Sequence, residues 1–120
     1  MRPVIRWALV AVVTVHGLIH LLGAAKGFRW ADVRQLRHEI SAGMAAAWLL
    51  AAVLVLGSAV LLALGDHWWW TAMAVAAAVS QIVVATSWSD AKAGSVVNVV
   101  MLLAAGYGYA AQRPRSFAAG

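Results

Sequence analysis

The chain has 120 residues, of which 64% are hydrophobic and 11% charged, and it carries a net charge of +5. A soluble domain of this size has too little interior to hide so much apolar surface, so lipid is expected to cover it. With no cysteine in the chain, a disulfide scaffold, a CxxC redox site and a thiol nucleophile are excluded. The positive charge suits anionic lipid headgroups. The basic residues punctuate apolar segments and form no stripe that tracks phosphates, so no nucleic-acid partner is expected.

In chain order, Met1-Arg2-Pro3-Val4-Ile5-Arg6 leads into a first span over 4–25. This start has the outline of a secretory signal cleaved near Ala24 and Ala25. The apolar run is nearer the length of a spanning helix, and further spans follow, so it is expected to stay. The sizeable loop over 26–40 comes next. In it Asp32 and Gln35 stand at capping-box spacing, and Val33, Leu36 and Ile40 share one helical face. A short interfacial helix is expected there, with Arg29, Arg34 and Arg37 toward headgroups.

The second span is expected over 41–64 and the third over 67–87. The link Leu64-Gly65-Asp66-His67 is too short for anything but a tight antiparallel turn. Ser87-Trp88-Ser89-Asp90 makes another, with Ser89 or Asp90 placed to cap the fourth span over 91–111. The tail over 112–120 reads as solvated. No period-two alternation suggests a transmembrane barrel. The expected fold is therefore all-α: a single-domain integral membrane protein, an antiparallel bundle of four transmembrane helices with an interfacial helix between the first two.

Tryptophans support these boundaries. Trp7, Trp30, Trp68, Trp69, Trp70 and Trp88 fall near span ends, where an amphipathic ring prefers the interface. Trp48 lies two turns into the second span and is a candidate pocket wall. Basic residues flank both sides, Arg2, Arg6, Arg113 and Arg115 on one and Lys26, Arg29, Arg34, Arg37 and Lys92 on the other. The positive-inside rule therefore gives no clean answer; an even number of spans puts both termini on one side, and the arginines immediately flanking the first helix favour the cytoplasm for it.

Antiparallel order also fixes which ends are neighbours. At ~1.5 Å per residue, His20 lies roughly 8 Å and His16 roughly 14 Å below one surface. Ser80, Gln81, Asn98 and Trp48 reach about 9–11 Å by the same arithmetic. Above them gather His38, Glu39, Ser41, Thr86, Ser87, Ser89, Asp90, Lys92 and Ser95. The opposite half is almost pure alanine, leucine and valine, relieved by Thr14, Gly57 and Ser58. Buried polar groups in lipid must find partners, so His16, His20, Gln81 and Asn98 are expected to point inward and line a one-sided polar pocket. The i,i+4 spacing puts both imidazoles on one face. Gly17, Gly23, Gly43, Ala46 and Gly94 permit close helix approach or leave room for a ligand.

Such a pocket suits an enzyme acting on a lipophilic small molecule or lipid. A membrane imidazole can serve as general base, and Asp90 or Glu39 as its orienting carboxylate or acid partner. Candidate catalytic residues are His16, His20, Asp90 and Glu39. Trp48, Ser80, Gln81, Lys92 and Asn98 are candidate ligand contacts, the amides for an oxyanion or a water and Lys92 for an oxygen or headgroup phosphate. Isomerisation, hydration or ring opening, and hydrolysis fit. No serine, histidine and acid stand at a diagnostic spacing for acyl transfer.

Other classes fit the same pattern. A proton-coupled transporter or lipophile-binding protein would require a homo-oligomer to enclose a path. The chain is similar to the small multidrug transporters in size and span number, but they place a glutamate in helix one where this chain has His16 and His20. Those histidines are spaced for one zinc or copper ion, with Asp90, Glu39 or His38 completing the shell. That pair alone is unspecific, and no cofactor is expected. An accessory subunit without chemistry is the last class. The packing alternative applies to each residue: Asn98–Gln81 or His20–Asn98 bonds serve equally as glue between helices.

The stretch His16-Gly17-Leu18-Ile19-His20-Leu21-Leu22-Gly23, with Ser80-Gln81 and Trp88-Ser89-Asp90-Ala91-Lys92, is similar to small four-helix proteins of bacteria. The resemblance implies an inner-membrane location and nothing about mechanism.

Overall fold

A computed structural model describes residues 1–30, 41–86, 88 and 92–112. They form four helices: α1, Pro3–Gly27; α2, Ala42–Leu64; α3, Trp69–Thr86; and α4, Gly94–Gln112. All four are long and apolar enough to cross a membrane. The protein is thus an all-α, multi-pass bundle, with lipid contact the natural fate of its many exposed Val, Leu and Ile side chains.

Local chemistry sets the helix ends. Pro3 opens α1, where its missing N–H costs nothing. Trp30 N–H returns to Ala25 O at 2.8 Å to close the helix, with Arg29 left-handed at φ 59. Ser41 caps α2 by accepting Met44 N–H at 3.1 Å. Gly65, at φ 71, ends that helix, and Asp66 N–H bonds Leu61 O at 3.0 Å. A side chain at Gly65 would meet the left-handed penalty that glycine escapes. Asp66 Oδ1 then accepts Trp68 N–H at 2.9 Å, turning the chain into α3 within a few residues.

The helices pack in sequence order, α1 on α2, α2 on α3 and α3 on α4, whereas α1 and α4 barely touch. The bundle therefore has an open seam between its first and last helices. One core cluster, with Val13, Val55, Met73, Ala76 and Met101 fully buried, fills the half nearer the α2–α3 turn. A second, built on Ala24, Trp48, Ala51 and Val83, fills the other.

The spans begin and end within about three residues of the sequence reading. The expected interfacial helix is the exception. Residues 26 and 27 finish α1, residues 28–30 form its C-terminal turn, and no extra helix is seen among the described residues. The rest of that stretch, 31–40, lies outside them, as do Ser89 and Asp90, the expected caps of α4. Gly43 and Ala46, read as contact residues, are exposed instead, and a Cβ at Gly43 would meet nothing. Small residues carry no sidedness, so the sequence could not tell a lipid face from a helix contact at these positions.

Candidate functional site

Three helices bring the polar layer together. His16 and His20, on the buried stripe of α1, are 4% and 2% exposed, Ser80 of α3 is 0% and Asn98 of α4 is 2%. The two imidazole rings lie edge to face, centroids 4.7 Å apart. Ser80 Oγ lies 3.1 Å from His16 Nε2 and 2.6 Å from His20 Nε2, so one hydroxyl joins both imidazoles. His16 Nε2 is also 2.9 Å from Asn98 Oδ1. Asn98 Nδ2 donates to Gln81 Oε1 at 3.0 Å, and Gln81 Nε2 donates to Ser95 Oγ at 3.0 Å.

This chain of bonds assigns the protons. Asn98 directs its amide hydrogen to Gln81, so its oxygen faces His16 as an acceptor and His16 carries a proton on Nε2. With that nitrogen a donor, the Ser80 hydroxyl hydrogen goes to His20 Nε2. His16 Nδ1 is then left with a lone pair. Within the described residues nothing hydrogen-bonds it, and it is not among the sealed polar atoms. His20 Nδ1 and Trp48 Nε1 are the contrast: both are buried without a partner. Each such orphan costs about 1–3 kcal/mol, a burden that an all-apolar layer would not carry.

His16 opens onto a cavity of about 500 Å³ walled chiefly by Val12, Val15, Ile19, Trp48, Val84 and Val97, with His20 beside it. It occupies the seam between α1 and α4. Val12, Val15 and Ile19 on its rim are 45%, 56% and 48% exposed on the lipid-facing surface, so the mouth opens sideways toward the bilayer. Two glycines make the geometry. A Cβ on Gly23 would collide with the six-membered ring of Trp48, and one on Gly94 would lie 3.2 Å from His16 Cε1. Gly23 thereby lets Trp48 lie flat against α1, with its ring centroid 5.2 Å from that of His20.

No protein-family model matches the chain, and neither a curated protein nor a solved structure matches it. Function has to be argued from the site.

The structure sorts the candidates named from the sequence by position. His16, His20 and Trp48 line the cavity. Ser80 and Asn98 stand behind the imidazoles and hold them, while Gln81, half-buried, links Asn98 to Ser95. Lys92 is exposed at the approach to α4. Asp90 and Glu39 lie outside the described residues, as does His38. Among the described residues no group of three or more histidines and acids is arranged to hold a metal ion.

Sequence reasoning missed the apolar walls Val97 of α4 and Ala93 just before it, while Gly94, expected to leave room for a ligand, does line the cavity. Nothing distinguishes Val97 and Ala93 by type from lipid-facing neighbours. Ser95 was read as a surface residue above the layer, and it proves to be the outer terminus of the hydrogen-bond chain.

Proposed function

We propose that this protein is a small membrane-embedded enzyme performing acid–base chemistry on a lipophilic molecule that enters from the bilayer. The observation that carries the reading is the division of labour between the two nitrogens of His16. Nε2 is held by Asn98, and Nδ1 faces an apolar cavity with a free lone pair. A base oriented by a third group is the arrangement general-base catalysis requires. Asn98 fixes the tautomer and, with Ser80, the ring plane.

The cavity wall is mostly apolar, so the substrate is an apolar body with an acidic C–H, or one attacked by a water that His16 activates. Isomerisation, hydration or ring opening, and hydrolysis all fit. Asp90 and Glu39 are the proposed acid partners, and Lys92 a proposed headgroup contact at the same end of the bundle. His20 acts through Ser80, as a positioning residue.

The alternatives are a dimeric proton-coupled transporter or lipophile-binding protein, and an accessory subunit. That His16, its Asn98 partner and the apolar wall all come from one chain supports the enzyme or binding reading over a path enclosed by two. A bundle needing only helix glue gains nothing from two orphaned donors beside an open lone pair, which weighs against the accessory reading.

The test is proton transfer itself. Wild-type and His16→Gln protein are reconstituted in vesicles made from extracted membrane lipophiles and incubated in heavy water. The lipophiles are then returned to ordinary water and weighed by mass spectrometry. The expected result is one compound class that keeps non-exchangeable deuterium, or is converted to a product of new mass, with wild type and not with His16→Gln. A lipophile retained by wild type and lost on His16→Gln, with no deuterium gained and no product formed, would replace the enzyme by a binder or transporter. Absence of both would leave the accessory subunit.

A further inference from the structure

At the other end of the bundle, where α1 and α3 begin and α2 and α4 end, lies a second and more polar cavity of about 230 Å³. Arg6, Gly65, Trp69, Tyr107 and Gln112 contribute to its wall. It shares no residue with the histidine site.

Arg6 is the unexplained group. Its guanidinium lies 5.3 Å over the ring of Trp7, a contact that uses its face and none of its five N–H donors. Nε is buried with no partner. No hydrogen bond or ion pair from its side chain exists among the described residues. Its N–H donors are not spent on the helix end beside it, where Gly65 N–H serves the carbonyl of Leu62 and Asp66 N–H that of Leu61. Asp66 adjoins the cavity without lining it, and its Oδ1 takes Trp68 N–H.

Two further wall residues offer donors beside Arg6. Gln112 accepts Trp70 Nε1–H through Oε1 at 3.2 Å, which leaves its amide nitrogen as a donor. Tyr107, half exposed, adds a phenol. Among the described residues no carboxylate lines the cavity. A planar cation with an amide N–H and a hydroxyl beside it, facing no acid, is a receptor for an oxyanion, and the guanidinium fork matches phosphate bidentately.

We infer that this cavity is a phosphate-binding site, built by Arg6 and Gln112 to take the oxyanion of an anionic phospholipid headgroup. Its level in the membrane agrees. Trp7, Trp68, Tyr107 and Tyr109, all exposed at this end, form the aromatic belt that marks headgroup depth. An interfacial arginine serving only to reach water would expose its whole head, whereas Arg6 is half-buried with Nε sealed.

The full-length protein in a neutral detergent is titrated with phosphatidylglycerol, with phosphatidylcholine and with inorganic phosphate, and bound mass is read by native mass spectrometry. Wild type is expected to hold one phosphatidylglycerol tightly and phosphatidylcholine weakly. Arg6→Gln should weaken that site about tenfold, the loss of one charge-assisted pair. Arg2→Gln, which removes an exposed charge outside the cavity, should leave it unchanged. Displacement by inorganic phosphate at equal concentration would identify free phosphate as the occupant, and failure to displace identifies the lipid. Equal effects of Arg6→Gln and Arg2→Gln, no effect of Arg6→Gln, or equal binding of the two lipids would overturn the site. Should Arg6→Gln not fold, Gln112→Leu decides the matter: weaker phosphatidylglycerol binding supports the site and unchanged binding overturns it.

Discussion

His16 Nε2 and Asn98 Oδ1, 2.9 Å apart, join α1 to α4 across the one adjacent pair of helices in the bundle that barely touches. The bond therefore has two jobs that can be separated by mutation. It holds the seam at one depth, and it sets the proton on His16. Asn98→Leu removes both, leaving Gln81 Oε1 without its partner and His16 Nε2–H with Ser80 Oγ alone, at 3.1 Å. Polar pairs inside membranes average about 0.6 kcal/mol, and orphaning a buried group raises the cost to about 1–3 kcal/mol. A loss of about 1–2 kcal/mol is expected in reversible unfolding in bicelles. Asn98→Asp keeps the acceptor oxygen facing His16 and should restore more of the heavy-water exchange than Asn98→Leu does.

The two histidines should behave differently although they share Ser80. His20 borders the cavity but has its Nδ1 sealed, beside the core residue Trp48, while His16 presents Nδ1 to the cavity. His16→Phe is expected to cost more stability than His20→Phe, by about 1 kcal/mol. It strands the buried Asn98 Oδ1 at the α1–α4 seam, whereas His20→Phe strands one Ser80 hydrogen and removes the orphaned His20 Nδ1. His16→Phe should still fold, through an aromatic ring of similar breadth, and lose all deuterium transfer. Paired thermal melts and exchange assays on the two variants check this. Equal loss of exchange with equal loss of stability would make the pair a single structural unit.

Much of this layer was legible in the sequence because antiparallel order converts residue number into depth. His16, His20, Ser80, Gln81, Asn98 and Trp48 could be set at one level before any contact was known. Helix ends were equally legible, since Pro3, Ser41 and Gly65 act through local backbone chemistry. What could not be read was azimuth. In lipid the outside of a helix is as apolar as the inside, so Val12 at a cavity rim and Val13 at 0% exposure look alike in the chain. The open α1–α4 seam, the apolar walls and the outward turn of Gly43 and Ala46 all depend on azimuth. Arg6 was read as a topology marker only, because its burial depends on where α2 and α4 end around it.

Ser80 offers a direct measure of how strongly the layer is coupled. Its hydroxyl is within bonding distance of both imidazoles, so Ser80→Ala removes two contacts with one atom. A cost of about 1–2 kcal/mol is expected. In a double-mutant cycle with His20→Phe the two losses should fall short of additivity by about 0.5 kcal/mol or more, since neither variant retains the shared bond. Additive losses would mean that the short Ser80–His20 contact contributes nothing to the fold.

Gly23 tests the cavity from its far wall. A Cβ there runs into the Trp48 indole, whereas a Cβ on Gly57, also in a spanning helix, meets nothing within 4 Å. Trp48 has no free space to retreat into except the cavity, because Ala24, Ala51 and Val83 pack around it. Gly23→Ala should therefore push the indole toward His20, at an overpacking cost of about 1–3 kcal/mol. Gly57→Ala should stabilise by up to about 1 kcal/mol through helix propensity alone. The measurable consequence is Trp48 fluorescence quenched by a brominated lipophile added to the vesicles. Quenching in wild type that is lost in Gly23→Ala and kept in Gly57→Ala places the lipophile against Trp48. Quenching that survives the closure of the cavity would place it on the outer surface of the bundle instead, and the seam would then be ordinary lipid contact.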